Sequence, residues 1–278
     1  MMLTKKLQED IKKALNSDGH ITFLVGAGVS AESGIPTFRG PEGYWKVGSV
    51  NYKPQEIGTF SMFLDNPTEV WKWFLFRKTV CREAFPNKGH YALAELEQLL
   101  ENRFALVSQN VDGLHIRAGN TLDRLYPIHG DLSYARCGAE CSEELYPFPD
   151  HISKNREENL TEEEIASLKC KKCGNYLRPH VLWFDESYNE QFYKAQSTLD
   201  VANNTDMLFI IGTSGATTLP HLILDIAFDK EVPIVVIDIN KSLFAKIAEL
   251  QSNGYFIQAK SGEVLPLIVE MIKEIQEK

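Results

Sequence analysis

Four of the five cysteines fall in two close pairs, Cys137-x3-Cys141 and Cys170-x2-Cys173, with 28 residues between the pairs. Two such thiol hairpins brought together offer four thiolates to one tetrahedral zinc ion. Four sulfur ligands leave no open coordination position, so a metal here is structural; a redox pair is the alternative that spacing alone leaves open. The fifth, Cys81, lies in an apolar helical stretch and reads as a core residue. A second candidate is the turn Gly26-Ala27-Gly28, which follows the apolar run HITFLV. Glycines at such a turn let the backbone approach a pyrophosphate, although the third glycine of the dinucleotide fingerprint is replaced by Ala31. A third is His129, which precedes Gly130. Imidazole can exchange a proton near neutral pH, yet a lone histidine beside a glycine is more often structural.

The elements that must position these groups follow from hydrophobic period. Short apolar runs at 20–25, 104–108, 207–211, 233–239 and 255–259 read as buried strands. Helical patterns at 89–101, 219–230, 241–251 and 262–276 lie among them. Strands alternating with helices predict an α/β fold whose parallel sheet is covered on both faces. An amphipathic helix over residues 1–16 precedes it, with Leu3, Leu7, Ile11, Ala14 and Leu15 on one face. Two regions break the rhythm. Residues 40–85 are aromatic-rich and helical in pattern, with turn signals at Pro54 and Asn66-Pro67, and 131–180 hold the cysteines and an acidic segment starting a helix at Thr161. The expected division is a Rossmann-like part of residues 1–39, 86–130 and 181–278, with 40–85 and 131–180 forming a smaller zinc-binding domain.

A net charge of -9 argues against a nucleic-acid backbone as the main partner. No apolar run approaches the ~18–20 residues that span a bilayer. The N-terminus lacks the pattern of a secretion signal, so a cytoplasmic enzyme is the expectation.

The run GAGVSAESGIPTFRG (26–40) resembles the signature of the sirtuin, or Sir2-like, family of NAD-dependent protein deacylases. Gln109-Asn110-Val111-Asp112, Ile128-His129-Gly130, the cysteine pairs, Arg178 to Phe184, Gly212-Thr213-Ser214 and Ile239-Asn240 follow in the family's order. The resemblance, to the bacterial type, covers about residues 20–270. It implies NAD bound between a Rossmann domain and a small domain with one structural zinc. Gly26, Ala27, Gly28, Ser30, Pro36, Phe38 and Arg39 would form the cofactor loop, with Phe38 shielding the reacting centre from water. Gln109, Asn110 and Asp112 would line the nicotinamide pocket, and Gly212, Thr213, Ser214 and Asn240 would hold the phosphates and adenosine ribose. His129 would be the general base, near its unperturbed pKa, with Asn110 and Asp112 favouring the cleavage step. The implied products are nicotinamide, O-acyl-ADP-ribose and free lysine from an acyl-lysine protein or peptide.

The acyl group is less defined. Family members that remove acidic acyl groups carry a Tyr-x-x-Arg pair; here Phe74 replaces the tyrosine while Arg77 remains, and Gly58 falls at the position that widens the pocket. An arginine in an apolar wall can pair with a carboxylate, or it can point to solvent or cap a helix. Val111, Leu182 and Phe184 would flank the substrate, and Asp185 stands where the family usually has glycine. From Gly212-Thr213-Ser214 the chain also reaches its proline, Pro220, one residue later than the family does. An ADP-ribosyltransferase or NAD hydrolase on the same scaffold is the alternative function, and oligomeric state is not legible.

Overall fold

The computed structural model describes residues 3–37, 52–155 and 158–277. Its strands are β1 (His20–Val25), β2 (Phe104–Ser108), β3 (Leu125–Pro127), β4 (Gly130–Cys137), β5 (Leu145–Pro147), β6 (Leu177–Val181), β7 (Thr205–Ile211), β8 (Ile234–Asp238) and β9 (Gly254–Gln258). Six of them form one parallel sheet in the order β3-β2-β1-β7-β8-β9. All five apolar runs read from the sequence are strands of this sheet. The sixth, β3, is a three-residue edge strand containing Pro127, too short to show a period.

Side chains alternate across the sheet. Ile21, Phe23 and Val25 face helices Lys5–Leu15, Lys88–Leu100 and Ser261–Gln276, while Leu24 joins the opposite core with helices Thr218–Asp229 and Leu243–Ala248. Strands buried on both faces need no polar alternation, which is why each reads as a continuous apolar run. The 241–251 pattern yields the shorter helix Leu243–Ala248, capped by the Ser242 hydroxyl. The strand order reverses between β2 and β7 on either side of β1. At such a switch point the turns after neighbouring strands diverge and leave a crevice.

The second sheet, β5-β4-β6, is antiparallel and has its own core of Phe63, Trp71, Phe74, Leu132, Cys137, Cys170 and Trp183. Helices Pro54–Ile57, Phe60–Asp65 and Pro67–Glu83 cover it. Pro54 and Pro67, expected as turn signals, instead occupy the first turns of two of these helices. Proline is tolerated there because its missing N–H has no intrahelical partner. Thr161 caps Glu162–Ser167 in a reciprocal box with Glu164, as the acidic segment suggests.

Candidate active site and thiolate cluster

The four paired cysteines converge. Their sulfurs all lie within 4.8 Å of one another, with Cys137–Cys173 at 3.4 Å and Cys141–Cys170 at 3.6 Å. A tetrahedron with Zn–S bonds of about 2.3 Å has sulfurs about 3.8 Å apart, so the cluster has the size and donor set of a four-thiolate zinc site. The cysteines are positioned to bind one zinc ion. Cys81 lies elsewhere in the small core, where burial pushes its thiol up to about 12 and leaves it inert.

The glycine turns after β1 and β7 lie against each other. The Gly28 N–H donates to the Gly212 carbonyl at 2.8 Å, and a Cβ on Gly28 would sit 2.5 Å from the Gly212 Cα. Side chains at either position would wedge the two turns apart. Ala27 and Pro36 are half-buried beside the Gly26 turn. Below it, three polar side chains meet at Ser30, whose Oγ accepts from Asn110 Nδ2 at 3.1 Å and donates to Asp112 Oδ2 at 2.7 Å. Asn110 also donates to the Gly26 carbonyl, and Gln109 Nε2 donates to Thr213 Oγ1 at 2.9 Å. The 109–112 segment thus braces both turns. Ser214 and Asn240 are exposed at the ends of β7 and β8, where the Asn240 N–H donates to Asp238. Phe38 and Arg39 lie outside the described residues.

His129 stands where the two sheets meet. The Ile128 N–H donates to Ser108 at the end of β2, and the His129 carbonyl accepts from the Leu182 N–H just beyond β6. Gly130 has φ 83°, and a Cβ there would lie 2.2 Å from the His180 carbonyl oxygen. Only glycine fits, and that contact fixes the backbone that aims His129. The imidazole Nδ1 lies 3.0 Å from the Gln109 carbonyl, which can only accept, so Nδ1 carries the hydrogen and Nε2 is the accepting atom. Burial pulls its pKa down to about 4, below the unperturbed value expected from the sequence. The ring is therefore neutral at physiological pH.

The residues expected to meet substrate occupy the small layer and its edge. The Phe184 N–H donates to the Gly58 carbonyl at 3.0 Å, and a Cβ on Gly58 would meet the Phe184 ring at 3.1 Å. Val111 bonds the Leu132 N–H through its carbonyl. Phe74 is buried beside Trp183. Arg77 is buried rather than turned to solvent, with its guanidinium 4.7 Å above the Trp73 ring. Asp185 is tied down: its carboxylate accepts from the Phe60 and Ser61 N–H groups at 2.7 and 3.1 Å, capping helix Phe60–Asp65.

The model of the Sir2 family matches residues 26–218. This chain belongs to the Sir2 family. An NAD-dependent protein deacylase of Leptospira interrogans is 38% identical over 269 residues, 97% of this chain and 98% of that one. Among solved structures, an ADP-ribose complex of a variant Sir2 homologue superposes with TM-score 0.81 at 31% identity, covering 99% of this chain and 98% of that chain. A Sir2 homologue bound to NAD superposes with TM-score 0.76 at 32% identity, covering 97% and 94%. Both structures match the Rossmann-like sheet and the smaller layer together.

Within this sirtuin, several groups at the site carried no usable sequence signal. Glu186 forms a bidentate pair with Arg178 and also accepts from the Trp183 N–H at 2.9 Å. Arg178 is fully buried and lies 3.6 Å from the Trp183 ring centre. His90 Nδ1 accepts from the Asn87 N–H, so its Nε2–H faces Ser30 Oγ at 3.4 Å; burial and the adjacent His115 ring hold it well below the usual histidine range. Tyr188 places its hydroxyl 2.9 Å from His129 Nε2. A tyrosine 59 positions away in a polar loop announces nothing until the fold closes. Among the described residues, no helix is long and apolar enough to cross a membrane.

Proposed function

We infer that the protein is an NAD-dependent protein-lysine deacylase that yields nicotinamide, O-acyl-ADP-ribose and free lysine. The observation that carries the reading is His129, a neutral imidazole with Nδ1 spent on Gln109 and Nε2 left as the accepting atom. NAD supplies the electrophilic ribose carbon, the nicotinamide leaving group and the hydroxyls that take up the acyl group. The turns at Gly28 and Gly212 pack backbone to backbone and so present main chain to its diphosphate, and a side chain at either would wedge them apart. Ser30, Asn110 and Asp112 present a rigid polar wall that orients a carboxamide. Thr213, Ser214 and Asn240 take the adenosine side. His129 Nε2 accepts the proton of a ribose hydroxyl, while Phe38 shields the reacting centre from water and Arg39 serves the cofactor. Residues 1–39, 86–130 and 181–278 form the cofactor-binding part, with 40–85 and 131–180 as the zinc-bearing part. A reducing, cytoplasmic setting suits a site of four free thiolates.

For the acyl group, the buried Arg77 favours an acidic chain, while Phe74 supplies one donor fewer than a tyrosine. Val111, Leu182 and Phe184 flank the acyl-lysine.

The test is a panel of acetyl-, succinyl- and long-chain acyl-lysine peptides incubated with NAD, with products followed by mass. His129→Ala should lose roughly 10²–10⁴-fold in deacylation while keeping NAD affinity. Deacylation at the wild-type rate would remove His129 as the base. Transfer of ADP-ribose to protein with no deacylation of any peptide would replace the reading with a transferase. Because burial keeps the imidazole neutral, kcat/KM should stay flat from pH 7.5 to 6, where an unshifted histidine would already be losing its accepting form.

A further inference from the structure

The partner of the atom that does the chemistry is itself unusual. Nε2 of His129 does not open onto empty space in the free protein; it meets the Tyr188 hydroxyl at 2.9 Å, and the two rings lie 5.9 Å apart at 28°. The direction of the bond follows from the other nitrogen. Nδ1 keeps its hydrogen for the Gln109 carbonyl, so Nε2 is a lone pair and the phenol O–H must donate to it. The Thr217 hydroxyl neighbours the phenol and eases the rise that burial gives its pKa. Thr217 in turn lies 3.5 Å from the Gln109 side chain. Gln109 and Tyr188 thus engage both nitrogens of the base, and no carboxylate or cation among the described residues contributes to the imidazole's shift.

The Tyr188 ring is anchored apart from this contact. It packs against the core that includes Leu24, Val107 and Ile128, the same core that seats the residue before His129. The phenol is thus delivered to Nε2 by a fixed ring. A proton acceptor cannot receive from two donors along one lone pair. Whatever hydroxyl gives its proton to His129 must take the place the phenol holds.

We propose that Tyr188 is a positioning residue for His129: in the free enzyme its phenol occupies Nε2 and holds the Nδ1–H tautomer, and it yields that place to a substrate hydroxyl. The base is kept aligned and dry between turnovers, and its accepting atom opens only when a ribose arrives. This proposal rests on the reading of His129 as the base.

The experiment is ¹⁵N spectroscopy of histidine-labelled full-length protein, wild type and Tyr188→Phe, free and saturated with ADP-ribose. Phenylalanine keeps the anchored ring and removes only the donor. In the free proteins, Nε2 of His129 should resonate further downfield in Tyr188→Phe, as an imine nitrogen that has lost its donor. With ADP-ribose bound, the two proteins should converge, because a ribose hydroxyl has replaced the phenol in both. Identical Nε2 signals in the two free proteins would overturn the proposal. So would a difference that persists undiminished in the ADP-ribose complexes, since the phenol would then never leave. The base assignment fails separately: if His129→Ala deacylates normally while the Nε2 signal behaves as described, the tyrosine contact stands and the base lies elsewhere.

Discussion

The two layers of this sirtuin reach the site by different kinds of order. The parallel sheet delivers the glycine turns and the Gln109–Asp112 segment on strands whose side chains are almost wholly buried among aliphatic and phenylalanine neighbours. The small layer has a three-stranded sheet and helices mostly of six residues or fewer, and is tied by polar devices: the thiolate cluster, the Arg178–Glu186 pair and the Asp185 cap. Apolar burial is spread over dozens of side chains, so no one residue decides it. Polar ties concentrate the order of the small layer in a few atoms. The comparison teaches where the protein should break.

Removing the metal should have the largest effect. Four thiolates within 4.8 Å repel one another without a cation, and binding free energy at such a site is folding free energy. Chelation should unfold the small layer while the six-stranded sheet keeps its hydrogen-exchange protection. The three tryptophans among the described residues, Trp71, Trp73 and Trp183, all sit in the small core, so their fluorescence reports that layer selectively. A metal-free protein with native fluorescence and native thermal stability would erase the contrast between the layers.

Breaking the buried ion pair ranks next. Arg178 is fully buried and Arg136, 2% exposed, lies 3.8 Å from the same Glu186 carboxylate. Glu186→Gln keeps the shape and a bond to the Trp183 N–H, but leaves a buried guanidinium without its counter-charge. Loss of one partner of such a pair costs about 3 kcal/mol. The denaturant midpoint should fall accordingly, with peptide binding hurt more than NAD binding because Trp183 leads into the 182–185 segment. An unchanged midpoint would show that Arg136 and Arg178 find compensation elsewhere.

The same contrast governs what could be read before the structure. Strand runs such as FALVS and MLFII announce themselves because both faces are buried, and their order in the chain is enough to expect a parallel sheet. The cysteines are legible because zinc demands four thiolates and few alternatives explain two close pairs. β3 was not legible, being three residues with a proline. Nor were the Glu186 and Tyr188 contacts, because each joins residues whose meeting is decided by sheet register and a loop path. The protonation of His129 was misjudged for a related reason. Its motif marks its place, whereas its pKa depends on burial by residues far away in the chain.

The smallest effect concerns Asp185, which stands where the family usually has glycine. A carboxylate in that place would alter peptide preference if it faced the substrate. Its oxygens are instead engaged by the first two free N–H groups of helix Phe60–Asp65, beside the Thr59 hydroxyl that accepts from Met62. The cap joins the 183–185 segment to the helical cover, alongside the bond from the Phe184 N–H to the Gly58 carbonyl. Asp185 is exposed, so water can replace part of what is lost, and Asp185→Ala should cost about 1 kcal/mol, the ordinary worth of a helix cap. Asp185→Asn, which retains an acceptor oxygen, should recover most of it. Both variants should keep the acyl preference of the parent. A shift in that preference with no change in stability would return Asp185 to the substrate, and would show that the small layer is held together without it.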